Sequence, residues 1–566
     1  MADVIVDESS FVRAAGRQLI IYGLITLFGF TAIMFMLDAM ASLVGTDTGS
    51  SRAIDAEKST ITLLLKEEPP QLDSTKATDQ VSGQILGHVM EGLLRQDAQQ
   101  KIQAAVAEKW DITPEGATFH LRADARWSDG KPVTAHDFVF AWRTVVNPAT
   151  ASEYAFIMYF VKNAEAINQG KLPTTELGAT AVDDRTLKVM FERPLTFFDK
   201  VVTFKTFLPI REDFYQQTNG RYGADAEEML YNGPFSITSW VHGASLKVEK
   251  NQHYWRRDEI RLNNINWAYI TSDASASFNF FKDGKIAAAS LSPDTLSNAL
   301  EQRWHIKQFQ DGGVFFLEFN HRPDRLTRNL NLRRAMQLVT DPNELVNKVT
   351  KLPGYLVGDS LFPGYLDGVK DKFKTEKPPK KIVRDIEAAR RHLELAKQEL
   401  GLEKIPPLTL LSTEDPISNV QAEYYQAVFR DTLGLEIKID KQIFKQRLAK
   451  MTAGEFDLVS AGWGPDYEDL LTFGDLFASW NLNNRGRYAS DEYDRQVRIA
   501  QSSTDQAERV EAFARMQDLI IDDAVILFNY ERGASYVTHP QLKGVIRRVI
   551  GSDPDYTYAW IDEGQG

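Results

Sequence analysis

The sequence predicts a mixed α/β protein with more than one core, and three observations carry that reading. Stretches with strand-like alternation and stretches with helical spacing succeed one another along the chain. Turn signals such as Glu67-Glu-Pro-Pro-Gln-Leu-Asp73 and Asp129-Gly130 separate them. At 566 residues, 43% of them hydrophobic, the chain exceeds one ordinary domain and buries several cores.

The elements follow in order. Arg13 and Arg17 precede an uncharged apolar run from Leu19 to Leu37. At helical rise that run covers about 28 Å, close to a hydrocarbon core and longer than the apolar core of an ordinary signal peptide. With its basic flank inside, residues 1–17 are expected in the cytoplasm, 18–44 as one transmembrane signal-anchor helix, and 45–57 as a polar linker. Ala39-Met40-Ala41 fits a cleavage site, so a soluble periplasmic protein cut near Ala41 is the alternative to a retained anchor.

Beyond the linker, Thr60–Leu65 reads as a strand. Val81, Ile85, Val89 and Leu93 share one face of a helix over 80–94. Thr134 with Asp137 three residues on suggests a capped helix whose apolar stripe is Phe138, Ala141, Trp142 and Val145. Ile382–Leu400 reads as an exposed charged helix stopped by Gly401. No internal repeat is evident.

Composition narrows the function. A net charge of −13 argues against a nucleic-acid footprint, and no Lys/Arg run with interleaved aromatics overturns that. The absence of cysteine removes disulfides, thiolate metal sites, thiol nucleophiles and lipid attachment at a cysteine. The phosphate-loop, dinucleotide, nucleophile-elbow and zinc-protease motifs are missing, and no cofactor or metal is expected. The nine histidines are scattered, and His88, His120 and His136 read as structural or surface residues. Catalysis is not expected.

The most informative segment is Phe456-Asp-Leu-Val-Ser-Ala461-Gly-Trp463-Gly-Pro-Asp466-Tyr467. An apolar strand runs into small residues and delivers a Trp, an Asp and a Tyr into a turn. Gly462 and Gly464 let backbone approach a ligand closely, Trp463 offers a flat face, and Asp466 can neutralise a cation. These parts suit an extended peptide held by its free amino end. A glycine-rich strand exit with core aromatics and a turn-capping Asp is the competing reading of the same residues.

This segment resembles the Ala-Gly-Trp-x-x-Asp-Tyr stretch of the bacterial solute-binding proteins of family 5, the oligopeptide-binding proteins of ABC importers. Further similar landmarks occur in order: Ala107-Glu-Lys-Trp110, Phe119-His-Leu-Arg122, Trp127-Ser-Asp-Gly130, Asn147–Tyr154, Tyr231-Asn-Gly-Pro-Phe235, Asn251 with Tyr254-Trp255, Phe316–Asn320 and Asn331–Met336. The resemblance runs from about residue 60 to 555.

It implies a type II (class C) periplasmic-binding-protein-like fold, with two hinged lobes and an extra domain. Lobe I is expected over 58–97, 206–312 and 533–566, the extra domain over 98–205, and lobe II over 313–532. The implied function is capture of oligopeptides and delivery to an ABC permease in the inner membrane, by a monomer without enzymatic activity.

By resemblance, Asp466 holds the ligand ammonium and the Ala461–Gly464 backbone lies along the peptide. Trp463, Tyr154, Phe444 and Tyr530 are candidate cleft walls, and Asn232-Gly233 a turn near the site. Two departures limit the carry-over. Gly464 stands where relatives can have a cysteine, and Met451 and Ser460 stand where enteric-type binders place arginines for the peptide carboxylate. The carboxyl end is therefore expected to be read differently. A membrane-anchored peptide sensor, or the same fold holding a murein peptide, dipeptide or other small solute, remains open.

Overall fold

Ile61, Leu63 and Leu65 are buried on Thr60–Leu65, and so is Thr62, whose hydroxyl donates to the Arg52 carbonyl at 2.9 Å. Apolar and satisfied polar side chains thus cover both faces of an inner strand. In the computed structural model, which describes residues 52–563 except 196, 352 and 353, this strand lies in a five-stranded sheet. The order is Ile54–Asp55, Thr60–Leu65, Asn264–Ile270, Ser245–Lys250 and Phe235–Val241, with the pairing of Thr60–Leu65 to Asn264–Ile270 parallel. Two sequence segments far apart therefore build one sheet.

A four-stranded antiparallel sheet lies wholly within 98–205. Its order is Ala107–Thr113, Gly116–Leu121, Thr186–Met190 and Ala179–Asp183. The helix Ala135–Val146 packs on it through Phe138, Ala141, Trp142 and Val145, each fully buried. Asp137 accepts from the Thr134 N–H at 2.8 Å and from the Trp127 indole at 3.1 Å, which ties the helix start to the Asp129-Gly130 turn.

The third sheet runs Ala288–Ser290, Ile526–Thr538, Lys307–Phe319, Leu458–Trp463, Leu408–Thr413 and Ile437–Gln442. Leu356–Val357 adds to Ile526–Thr538. Lys307–Phe319 and Ile526–Thr538 are thirteen-residue antiparallel strands that pass straight through the expected 312/313 and 532/533 boundaries. Their register breaks between Gln310 and Val314, where Gly312 has φ +74°. A bulge built on a left-handed glycine bends a strand pair locally. Beneath this sheet, Leu332, Ala335, Leu393, Tyr425 and Phe429 from three helices form a second core with Leu408, Leu410 and Leu458.

Two element limits differ from expectation. The helix expected over 80–94 spans Gln80–Val89. Beyond it, the Asn232 amide accepts from the Glu91 N–H at 3.0 Å and donates to the Glu91 carbonyl at 2.8 Å. Those bonds hold the chain extended from Met90, and Leu93 is buried outside the helix. The helix expected over Ile382–Leu400 begins at Ile386, because the Asp385 carboxylate caps the Ala388 N–H at 2.9 Å; it stops at Gly401, φ +66°, as expected.

The expected membrane span at 18–44 lies outside the described residues. Among the described residues, no helix is long and apolar enough to cross a membrane.

Candidate functional site

The strand Leu458–Trp463 has two unequal edges. Along one it pairs with Val314–Phe319 over all six residues. Along the other, its parallel ladder to Leu408–Thr413 holds only Leu458 and Val459. From Ser460 onward that second edge has no strand neighbour among the described residues. The Ser460 carbonyl lies on this open side, where Arg447 Nη1 donates to it at 2.6 Å. Strand alternation puts the N–H and carbonyl of Gly462 on the same side. Gly462 is exposed although Ala461 beside it is buried. A Cβ at Gly462 would lie 2.6 Å from the Phe315 ring, so only glycine fits without moving that ring. An unpaired edge in a recess is what an extended peptide needs for main-chain pairing.

Asp466 ends this edge. Its N–H donates to Thr472 Oγ1 at 2.8 Å, which fixes the turn, and its carboxylate accepts from the Tyr154 hydroxyl at 3.0 Å. The side chain is buried, and burial pushes its pKa up to about 7, against the pull of the Lys205 ammonium and the Tyr154 bond. Asp475 is likewise buried and pushed upward, first by burial and then by the charge of Asp466. A buried acid held near neutrality by so few partners is prepared to receive a cation.

The aromatic candidates fall into two groups. Tyr154 is buried and stacks on Trp463 at 5.9 Å between centroids, with Phe156 and Phe204 at 5.6 and 4.9 Å. The Trp463 indole donates to the Thr472 carbonyl at 2.8 Å, so Thr472 orients both Trp463 and Asp466. Lys205 Nζ lies 4.9 Å from the Tyr154 ring centroid and 4.1 Å from that of Phe204. Tyr530 stands on the other side of the strand, stacked on Phe315 at 5.1 Å and accepting from Gln421 at 3.1 Å. Phe444 opens the helix Phe444–Ala453, with the Arg447 guanidinium 5.4 Å from its ring.

Asn232 and Gly233 contact the chain at the end of the helix Gln80–Val89. Asn232 spends its amide on Glu91, and Gly233 backs onto Val89 and Met90, where a Cβ would meet backbone at 2.6 Å. Both hold the end of the helix Gln80–Val89, whose first residue reaches the site. A Cβ at Gly464 would lie 2.0 Å from Gln80 Nε2, and Gln80 Oε1 accepts from Arg532 Nη2 at 2.5 Å. Arg532 also pairs with Asp311, so residues of both long strands, the helix start and the 464 turn meet here.

Charged pairs fasten the segment around Tyr154 to the strand's side of the cleft. Arg485 grips Glu153 through two bonds of 2.6 Å, and Arg498 grips Glu165 at 2.8 and 3.0 Å. Such forked pairs fix orientation as well as distance. His88 is structural: it accepts from the Tyr556 N–H at 3.0 Å, and its other ring nitrogen donates to the Gln84 carbonyl at 2.7 Å.

The sequence profile described as bacterial extracellular solute-binding proteins, family 5 Middle, matches residues 101–484, more than half of the chain. The chain belongs to this family. The dipeptide-binding protein DppE of Bacillus subtilis is 30% identical over 488 residues, 86% of this chain and 89% of that protein. The structure of Listeria monocytogenes OppA bound to peptide superposes with a TM-score of 0.84 at 28% identity, covering 90% of this chain and all of that one. The unliganded open form of the murein tripeptide-binding protein MppA, 25% identical over 91% of this chain and 99% of its own, gives only 0.59. The family's α/β periplasmic-binding-protein-like fold is thus present, in an arrangement nearer the peptide-bound relative than the open one.

Around this strand edge and Asp466, sequence reasoning missed Lys205, Gln80, Thr472, Arg447 and the Glu153–Arg485 pair. Lys205 and Gln80 carry no motif, and only the folded chain brings them within reach of Asp466 and Gly464. Glu153 adjoins the singled-out Tyr154, but its partner lies 332 positions away.

Proposed function

We propose that this chain is the non-enzymatic substrate-binding protein of an ABC-type peptide importer, holding an extended peptide by its amino end. The observation that carries the reading is the unpaired edge from Ser460 to Trp463, closed at one end by the buried acid Asp466. Enclosure strips water from each peptide group, so each needs a partner. The strand edge partners the main chain whatever the side chains, and Asp466 neutralises the ammonium. Relatives named as dipeptide- and oligopeptide-binding proteins support this ligand class.

In this reading, lobe I (58–97, 206–312, 533–566) closes on lobe II (313–532) about the bulge at Asp311–Gly313 and the facing Glu531–Gly533. The domain 98–205 contributes Tyr154, Glu153 and Lys205. Closure around the ligand is the working step, and the closed form is what a permease receives. Residues 18–44, read as a membrane anchor from their sequence, would keep the binder beside its permease.

Native mass spectrometry of the purified protein tests the function. Co-purified peptides that disappear in Asp466→Ala are the expected result. A protein that arrives empty, and that no peptide library stabilises thermally, would overturn it.

A further inference from the structure

Lys205 sets a cation one aromatic ring away from Asp466. Its Nζ lies 4.9 Å from the ring centroid of Tyr154, whose hydroxyl donates to the Asp466 carboxylate at 3.0 Å, and 4.1 Å from that of Phe204. The stem passes Gly83, where a Cβ would stand 3.6 Å from Lys205 Cδ. Ring faces attract an ammonium but do not replace a counter-ion. Among the described residues, no oxygen accepts a hydrogen bond from Nζ and no carboxylate lies within ion-pair distance of it. Burial pulls its pKa down, and the carboxylates that face it, Asp466 and then Asp79, draw it back up.

Both of those acids are committed. Asp79 caps the helix Gln80–Val89, accepting from the Ser82 N–H and from the Ser82 hydroxyl, each at 2.7 Å. Asp466, in the proposed function, is taken by the ligand ammonium. Glu153, next to Tyr154 in the chain, is spent on Arg485. A bound peptide therefore places a second cation near Lys205 and claims the acid that faces it. In an enclosed cleft such like charges repel, and an uncompensated ammonium is costly. The arrangement lacks one negative charge. The first side chain of the ligand leaves the same carbon as its ammonium, so it is the group best placed to supply that charge. Each later residue lies about 3.3 Å further along the strand edge, away from Lys205.

We propose that Lys205 is a specificity-determining residue that pairs with an acidic first side chain, so that the site selects peptides beginning with Asp or Glu over those beginning with Lys or Arg. The inference rests on the peptide-binding function proposed above. An acidic first side chain gives Lys205 its missing partner, a neutral one leaves it facing Asp79 alone, and a basic one adds a third cation. The preference runs against the net charge of −13, which by itself favours cationic ligands, so it has to arise locally.

The test is calorimetry on the full chain with four peptides: Glu-Ala-Ala-Ala, Lys-Ala-Ala-Ala, Ala-Ala-Glu-Ala and Ala-Ala-Lys-Ala. The wild type should bind the Glu-first peptide about tenfold or more tightly than the Lys-first one. In Lys205→Met that ratio should fall to within about twofold, Lys205→Arg should keep most of it, and Lys205→Glu should reverse it. The ratio for the pair charged at the third residue should not follow these changes. Equal binding of the first pair by the wild type overturns the inference, as does a ratio that survives in Lys205→Met. A ratio that changes equally at the third residue also overturns it, because a general field would then be responsible. The wild-type comparison of first against third residue stands even if a variant fails to fold. If all four peptides bind alike and Asp466→Ala abolishes their binding, only the role of Lys205 falls. If the wild type binds none of them, the peptide-binding reading falls with it.

Discussion

The Tyr154 hydroxyl donates to the Asp466 carboxylate across 3.0 Å, joining residues 312 positions apart in the sequence. The bond favours the ionised acid and opposes the burial that would keep it protonated. Tyr154→Phe should therefore leave Asp466 less willing to ionise. Peptide affinity at pH 7 should drop by about 1–1.5 kcal/mol, five- to tenfold, in calorimetry. An unchanged affinity would show that the bond is broken in the complex.

Removing the acid is more severe. Asp466→Ala should cost about 2–5 kcal/mol of peptide affinity, the usual loss when a desolvated charge pair is broken. N-acetylated peptides should bind the wild type comparably weakly. Tight binding of acetylated peptides would move the amine anchor elsewhere.

The acidity of Asp466 makes a signed prediction for the ligand-free protein. Its folded value is raised from 3.8 to about 7. Below pH about 4 the group is protonated in both states and contributes nothing. As pH rises from about 4 to 7, the unfolded chain gives up the proton first, so stability is lost over that window and levels off above it. Asp466→Asn should then melt with the wild type at pH 4. At pH 8 it should be more stable, by on the order of 2–4 kcal/mol. A matching difference at both pH values would contradict the assignment. Peptide binding should run the other way, strengthening from pH 5 to about 7 with release of a proton, until the ligand amine itself deprotonates near pH about 8.

Arg485 grips Glu153 at 2.6 Å, and in the proposed function this pair fastens the closed form. Arg485 is buried, so Glu153→Gln leaves its guanidinium with a weaker partner. The closed form should lose about 1–3 kcal/mol. Small-angle scattering should show a larger radius without ligand, and peptide dissociation should quicken about tenfold or more. An unchanged scattering profile and off-rate would make the pair incidental to closure.

The two glycines of the strand exit should differ. Gly462→Ala drives a methyl into the Phe315 ring, which is stacked on Tyr530, and should cost about 1–3 kcal/mol in thermal unfolding. Gly464→Ala meets only the end of the flexible Gln80 side chain, so it should fold normally yet weaken peptide binding by displacing Gln80. Equal stability losses would show that Gln80 is not free to move.

Local chemistry made much of this legible. The strand Thr60–Leu65, the capped helix from Ala135 and the Gly401 stop depend on residues a few positions apart, whose side chains and φ preferences act on their own neighbourhood. The ends at Val89 and Ile386 were less legible. Asn232, 141 positions from Glu91, decides the first by hydrogen bonds, and Asp385 decides the second by capping.

The sequence by itself determined the alternating α/β elements, the strand and turn of 456–467, and the presence of an acid, an indole and close-approach glycines within it. Tertiary structure alone decided that Asp466 is buried beneath Tyr154 and faces Lys205, that the edge beyond Ser460 is unpaired, and that Arg447 covers its start. The reason is physical. Residue identity sets what a group is able to bond, but burial, edge pairing and the approach of distant charges set whether it is ionised, satisfied or open to a ligand.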